Sequence, residues 1–160
     1  MSDAKSDRQA GQNPDSQSPS RVIALDVGER RIGVAVSDPS GTLATPHSVI
    51  HRRSKAQDFA TIAHLVDEME IERVVVGLPL SLSGDVGPQA RRITRYAQAL
   101  AQSLHVPVDL YDERYSTVTA TELLAASGHK RRQVPIDAAA AAVILQDYLE
   151  SKRRSEENLE

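Results

Sequence analysis

Apolar and polar positions follow two different periods along the chain, and together they predict an α/β fold. Apolar residues fill nearly every position of residues 22–25, 73–78 and 107–111, which is typical of strands buried on both faces of a sheet. A β-rich run at 32–36 follows the first of these strands across a polar loop that contains Gly28. Two such runs around a glycine-containing loop predict a β-hairpin.

Other segments have the spacing of amphipathic helices. In residues 55–70 apolar side chains recur at every third or fourth position, and the acidic residues, Asp58 among them, are predicted to face outward. Pro88 is predicted to begin a second helix, since proline is favoured in a first helical turn. A third helix is predicted over 116–127, with Ser116 or Thr117 as its cap, and a last one from Pro135.

The order of these elements predicts the topology and the domain organisation. With a weaker strand at 43–50, interrupted by Pro46, a β-meander precedes the sequence α-β-α-β-α-α. This order predicts a mixed five-stranded sheet, first an antiparallel meander and then parallel strands, with helices on both faces. Residues 1–20 are polar and predicted to be a disordered extension. Residues 21–150 are predicted to form one domain, followed by a charged tail at 151–160.

Composition narrows the class of protein. The chain has 160 residues, 40% of them hydrophobic, which suits one domain with a real core. The absence of cysteine excludes disulfides and thiolate zinc sites, and the polar N-terminus lacks a secretory signal, so we expect a cytoplasmic protein without membrane contact. A net charge of −3 means that a polyanion must be met by local basic clusters. These clusters are Arg30–Arg31, Arg52–Arg53–Lys55, Arg91–Arg92–Arg95 and Lys130–Arg131–Arg132.

Three carboxylates stand where the apolar pattern ends. Asp26 ends the first strand, Glu113 follows the last, and Asp137 lies in the first turn of the last helix. Sites in open α/β sheets form at strand ends, and carboxylates that converge there require a hard dication such as Mg²⁺ or Mn²⁺. Two such ions can activate water for phosphodiester hydrolysis. Alternatively, Asp26 caps a turn, Asp137 complements a helix dipole, and Glu113 pairs with Arg30 or Arg114.

Four separated motifs resemble the YqgF/RuvX family. They are D-V-G at 26–28, G-L-P at 77–79 with Gly84 and Gly87 after it, D-E-R-Y-S-T at 112–117, and D-A-A-A-A at 137–141. The resemblance covers about residues 21–150 and implies a ribonuclease H-like fold similar to that of the RuvC resolvase. It also implies a metal-dependent nuclease that matures the 5′ end of pre-16S ribosomal RNA. Where the family commonly has Leu-Thr-Thr after D-E-R, this chain has Tyr-Ser-Thr.

The resemblance assigns roles to individual residues. Asp26, Glu113 and Asp137 match the family's acidic triad, and would be both the catalytic residues and the ligands of Mg²⁺ or Mn²⁺. Basic residues near them could neutralise a substrate backbone. Gly77, Gly84 and Gly87 could let the main chain approach a phosphate, with an ordinary strand-to-helix loop as the alternative. The candidates for contacting substrate phosphates are Arg30, Arg31, Gly84, Arg114, Lys130, Arg131 and Arg132.

Nucleic acid is therefore the expected partner, with RNA preferred on the resemblance alone. A resolvase of branched DNA is the near alternative and would need a dimer to cut two strands symmetrically, so both a monomer and a homodimer stay open. A catalytically silent nucleic-acid-binding domain is a third reading. The hairpin also resembles the phosphate loop of actin-like and sugar-kinase ATPases, but those proteins close two such domains around a nucleotide.

Overall fold

The computed structural model describes residues 20–81, 83–113 and 135–158. The strands are β1 (Val22–Val27), β2 (Arg31–Ser37), β3 (Ala44–His51), β4 (Arg73–Leu78) and β5 (Val108–Asp112). The helices are α1 (Lys55–Glu68), α2 (Pro88–Ser103) and α3 (Ile136–Glu157). The helix predicted over 116–127 lies outside the described residues, and so does the extension predicted over residues 1–20 except for Ser20.

The strands form one sheet in the order β3-β2-β1-β4-β5. β1, β2 and β3 are antiparallel neighbours, whereas β4 pairs parallel with β1 and β5 pairs parallel with β4. The predicted mixed five-stranded sheet, with a meander followed by parallel strands, is confirmed. Because β1, β4 and β5 run in the same direction, their carboxyl ends meet at one edge of the sheet.

One face of the sheet packs against α1 and α2 through large side chains. The strand residues in this core are Ile23, Leu25, Val27, Ile32, Val34, Val36, Val74 and Val76. The two helices contribute Phe59, Ile62, Val66, Ile93, Tyr96, Ala97 and Leu100. Full burial of each such branched or aromatic side chain stabilises the fold by about 1.5–3 kcal/mol. This face therefore holds most of the hydrophobic core.

The opposite face packs against α3 through small side chains. The strand residues here are Val22, Ala24, Ala35, Ala44 and Val75, and the helix contributes Ala141, Ala142, Ile144, Leu145, Tyr148 and Leu149. Alanine against alanine lets the axis of α3 lie close to the sheet. Helices on both faces are thus confirmed, but the two layers are packed with side chains of different size.

One polar prediction on α1 is wrong. Asp58 was expected to face outward, but it is only 3% exposed. Its carboxylate accepts a hydrogen bond from the Arg53 amide at 3.1 Å and pairs with the Arg52 guanidinium at 3.6 Å. Arg53 lies between β3 and α1, so its amide has no strand partner. The Asp58 carboxylate, in the first turn of α1, is its acceptor.

The helix α3 extends beyond the predicted end of the domain. It runs to Glu157, so the stretch predicted as a charged tail is helical as far as that residue. Gln146 joins α3 to the sheet edge, because its side chain accepts from the Ala44 amide at 2.9 Å and donates to the Thr42 carbonyl at 3.2 Å. Within the described ranges, no helix is both long and apolar enough to cross a membrane.

Candidate active site

Asp26 lies near the carboxyl end of β1, on the face covered by α3. Its neighbours along the strand alternate, so that Leu25 and Val27 enter the core beneath α1 and α2. Asp26 is half-buried and pairs in the antiparallel register with Gly33 of β2. The Asp26 carboxylate therefore lies beside Gly33, a position on β2 that has no side chain.

Gly33 brings the start of α3 onto the sheet. A Cβ atom added to Gly33 would lie 1.9 Å from the Asp137 carbonyl oxygen and 3.1 Å from the Ala138 nitrogen. The first separation is far below contact distance and the second is tight, so only glycine permits this approach. The first turn of α3 consequently rests on β2 directly beside Asp26, and this contact delivers Asp137 to the site.

Gly77 leaves room for the Glu113 side chain, as Gly33 leaves room for the start of α3. Glu113 follows β5 directly, and Gly77 of β4 is paired with Tyr111 in the parallel register. A Cβ atom on Gly77 would lie 2.3 Å from the Glu113 Oε1 atom and 2.7 Å from the Ile144 Cδ1 atom. The Glu113 side chain thus lies over the bare backbone of β4. The sequence had suggested a phosphate approach for this glycine, but the Glu113 carboxylate takes up that space.

The three predicted triad residues interact electrostatically. Burial, followed by the negative charge of Asp137, raises the pKa of Asp26 above its ordinary value. Burial, followed by the charges of Asp26 and Asp112, raises the pKa of Glu113 to about 7. Desolvation and like charge both disfavour the ionised forms. The structure therefore places Asp26 close enough to Asp137 and to Glu113 for their charges to interact, and burial makes the ionised forms of Asp26 and Glu113 unfavourable.

Arg31 partly offsets this charge. Its Nε atom lies 3.2 Å from Oδ2 of Asp137, and the arginine side chain is 60% exposed. The resemblance had suggested Arg31 as a phosphate contact. In the structure its guanidinium pairs with one of the predicted triad carboxylates, so a cation partly neutralises Asp137 from the solvent side, and the phosphate contact stays a prediction.

The other predicted phosphate contacts differ in position. Arg30 is exposed in the loop between β1 and β2, next to the site. Gly84 has a φ of +88°, which favours glycine, and its N–H donates to the Ser81 carbonyl at 2.8 Å within the loop before α2. This N–H serves the turn. The remaining candidates lie outside the described residues, namely Arg114, Lys130, Arg131 and Arg132.

The donor set suits a hard divalent cation, although no closed cage is formed. Over the ranges 20–81, 83–113 and 135–158, no group of three acidic or histidine side chains is arranged to hold a metal ion. Mg²⁺ is usually bound by one or two carboxylates, with waters and substrate phosphates completing its shell. Carboxylates whose ionised forms are disfavoured without a counter-charge fit such a cation.

Sequence reasoning missed Gly33 altogether and misread Gly77. Each interrupts a strand rich in β-branched residues, and an isolated glycine in a strand signals a close approach of another backbone or group. That signal was present in the sequence. The identity of the approaching group was not, because the contact between Gly33 and Asp137 joins segments about a hundred residues apart.

The fold is RuvC-like, with a ribonuclease H-like sheet. Thermus thermophilus RuvC, solved in complex with a Holliday junction substrate, superposes with a TM-score of 0.62 at 16% identity, over 84% of this chain and 96% of that one. The fowlpox virus resolvase, solved with Holliday junction DNA, gives a TM-score of 0.50 at 10% identity, over 82% and 98%. These likenesses confirm the predicted fold.

The chain belongs to the RuvX family, whose sequence profile, described as "RuvX: Holliday junction resolvase", matches residues 20–151. A relative from Chloroflexus aurantiacus is 45% identical over 82% of this chain and 88% of its own length, and is named "Putative pre-16S rRNA nuclease". A relative from Syntrophomonas wolfei with the same name is 42% identical, over 81% of this chain and 94% of its own. The predicted family is confirmed.

Proposed function

We propose that this protein is a metal-dependent endonuclease that hydrolyses phosphodiester bonds. The observation that carries the proposal is that Asp26 interacts electrostatically with Asp137 and with Glu113 at one end of the α3 face, where burial and like charge raise the pKa of Asp26 and of Glu113. Carboxylates that repel one another at a strand-end site are the donor set that a hard dication stabilises.

In this proposal the three carboxylates hold one or two Mg²⁺ or Mn²⁺ ions. A bound dication supplies an activated water and stabilises the leaving oxygen of the cleaved phosphodiester. Asp26 is fixed by the sheet, whereas Asp137 and Glu113 approach it over Gly33 and Gly77. The chain thus provides one rigid donor, Asp26 on β1. The positions of the other two donors depend on Gly33 and Gly77, which have no side chains in the way.

The proposed substrate is the 5′ region of pre-16S ribosomal RNA. The support for this substrate is the name carried by relatives that are 42–45% identical over most of the chain. Cytoplasmic location belongs to the same proposal, since ribosomal RNA precursors are processed there. We assign Arg30 and the basic stretch Lys130–Arg132, together with Arg114, to neutralising the RNA backbone beside the metal.

A Holliday junction resolvase is the second candidate. The description of the matching family and the structural likeness to RuvC favour it. Symmetric cleavage of a four-way junction requires two active sites related by a two-fold axis, so this candidate also requires a homodimer. A chain that binds nucleic acid without cutting it is the remaining possibility of a different class.

Cleavage assays separate these functions. Labelled RNA spanning the 5′ end of 16S RNA and labelled four-way DNA junctions are incubated with Mg²⁺ or Mn²⁺ and the wild-type chain, Asp26→Asn or Asp67→Asn. Asp67 is an exposed carboxylate of α1, so its variant is a matched control. The proposal predicts RNA cleavage that is lost only in Asp26→Asn. Cleavage of junctions alone would establish the resolvase, and binding of either substrate without cleavage would contradict the nuclease.

A further inference from the structure

A cationic cavity lies on the opposite side of β1 from the carboxylates. It has a volume of about 230 Å³ and lies where the β1–β2 loop meets the start of α1 and the first three turns of α2. Gly28 and Glu29 form its wall on the side of the loop, and Tyr96 lies at its base. Four cations line it, namely Arg52, Lys55, Arg92 and Arg95. Among the described residues that line it, Glu29 is the single acidic side chain.

Arg52 gives the cavity a fixed cationic wall. Its Nη1 atom donates to the Gly28 carbonyl at 2.8 Å, its guanidinium pairs with Asp58, and it stacks 4.9 Å from the centre of the Tyr96 ring. Tyr96 is itself 4% exposed and packs edge-on against Phe59. The position of this arginine is therefore determined by the core and by the loop that follows Asp26.

The other three cations are free to bind an anion. Lys55, Arg92 and Arg95 are exposed, and within the described part of the chain none of them has an acidic partner. Arg92 and Arg95 are three residues apart on α2 and repel each other. A helix would normally place acidic side chains near its N-terminus, but the first turn of α2 has none and its cap, Gly87, offers no side-chain hydrogen bond.

We propose that this cavity, which we call the α1–α2 groove, binds phosphates of the nucleic acid strand that is cut at the carboxylates. Asp26 and Val27 are consecutive residues of β1 that face opposite sides of the sheet, so the site and the groove lie at the same strand end. A strand that passes over the β1–β2 loop reaches both. Lys and Arg contacts to phosphates position a backbone without reading sequence.

The groove explains how a chain with net charge −3 engages a polyanion. Its cations lie away from the carboxylates, so the negative field of the triad is separated from the positive field of the groove by the thickness of the sheet. A metal ion would draw one phosphate to the carboxylates, while the groove holds phosphates further along the strand. The inference rests on the proposed nuclease function for the direction of the strand but not for the binding itself.

The test measures equilibrium binding of labelled single-stranded RNA to the full chain without metal. Fluorescence anisotropy monitors this binding over a range of salt concentrations. The double variant Arg92→Gln/Arg95→Gln removes two groove cations. Arg153→Gln/Arg154→Gln removes the same charge near the far end of α3, about 25 Å from Asp137 along the helix. Both pairs are exposed, so neither change should affect folding.

The groove variant is expected to raise the Kd at least tenfold and to reduce the slope of log Kd against log salt by about 1.4, since each lost phosphate contact on a single strand removes about 0.7. The control variant is expected to change the Kd less than twofold. Equal losses in the two variants, or no binding of RNA by the wild type, would overturn the proposal. A second outcome that overturns it is thermal stabilisation by inorganic phosphate alone that equals stabilisation by RNA, because the site would then be one for free phosphate.

This test fails separately from the cleavage assay. If the groove variant loses RNA binding but the wild type cuts neither RNA nor junctions, the groove stands and the nuclease function does not. If the wild type cuts RNA and the groove variant binds RNA normally, the function stands and the groove does not.

Discussion

The two faces of the sheet are built from alternate residues of the same strands, yet they are packed in opposite ways. Toward α1 and α2 the strands present Ile, Leu and Val side chains that fill a conventional core. Toward α3 they present alanines, together with Gly33, Gly77 and the Asp26 carboxylate. The first face supplies hydrophobic free energy. The α3 face supplies less hydrophobic free energy, because its side chains are smaller. In return, a helix and an acidic side chain can approach the strand backbone closely.

This difference between the two faces explains how the fold remains stable with carboxylates on one of them. Three acidic groups near one another oppose folding, because burial and like charge disfavour their ionised forms. The core on the other face offsets that cost without sharing side chains with the site. Changes on the two faces should therefore separate stability from metal binding.

The largest expected effect on stability comes from the α1–α2 face. Leu25 is completely buried there, next to Asp26 in sequence but on the other side of β1. Leu25→Ala should lower the free energy of unfolding by about 2–5 kcal/mol, since it leaves a cavity in a packed core. Urea denaturation measures the loss. The increase in Tm caused by Mn²⁺ should persist, and its disappearance would show that the two faces are not independent.

A smaller loss of stability but a larger loss of function is expected at Gly33. Gly33→Ala places a Cβ atom against the Asp137 carbonyl oxygen, so the start of α3 must move. Overpacking of this kind costs about 1–3 kcal/mol. The increase in Tm caused by Mn²⁺ should be lost along with cleavage.

Gly87→Ala is the control for this substitution, because no atom of the described part of the chain lies within 4 Å of a Cβ atom built at Gly87. It should keep the response to Mn²⁺. If Gly33→Ala also keeps that response, then close approach of α3 to β2 is not what forms the site.

The pH dependence of stability should show that the ionised form of Glu113 is unfavourable in the folded chain. Because its pKa is raised from 4.5 to about 7 in the folded chain, the stabilisation is fully present below about pH 4.5 and is lost as pH rises through 7. Between pH 5 and 8 the metal-free wild type should lose about 1–2 kcal/mol more than Glu113→Gln, once solvent screening of this partly exposed group is included. Urea denaturation in EDTA measures both. Identical pH dependence in the two proteins would contradict the coupling.

The smallest effect is expected at Arg31, whose ion pair with Asp137 is mostly exposed. Arg31→Gln should change stability by less than about 1 kcal/mol. It should raise the affinity for Mn²⁺ about twofold to fivefold, because the guanidinium no longer competes for the carboxylate. Calorimetric titration measures the affinity, with Arg30→Gln as the control. A variant with unchanged Mn²⁺ affinity but weaker RNA binding would instead make Arg31 the phosphate contact that the sequence suggested.

Much of the fold could be predicted from the sequence because the apolar runs are local signals. β4 was placed at its observed bounds, and α2 begins at Pro88 as expected. Asp58 was placed on the wrong side of α1, since the helical period alone does not show that the Arg53 amide needs an acceptor. Interactions between elements distant in sequence decide such cases.

The carboxylates of the site were identified as breaks in the apolar pattern and as matches to family motifs. What positions them was not predicted. The register that sets Gly33 opposite Asp26 depends on how the hairpin closes, and the ion pair between Arg31 and Asp137 depends on where α3 lands. Both are consequences of tertiary packing. The roles of the triad and of the basic residues beside it stay predictions until they are tested.

The most direct test of the central claim is calorimetric titration of Mn²⁺ into the metal-free chain at pH 8, with wild type, Asp26→Asn and Asp67→Asn compared. If the carboxylates on the α3 face form the metal site, wild type and Asp67→Asn bind Mn²⁺ saturably, and Asp26→Asn binds it at least about tenfold more weakly. Equal affinity in all three proteins, or no saturable binding by the wild type, would contradict the account.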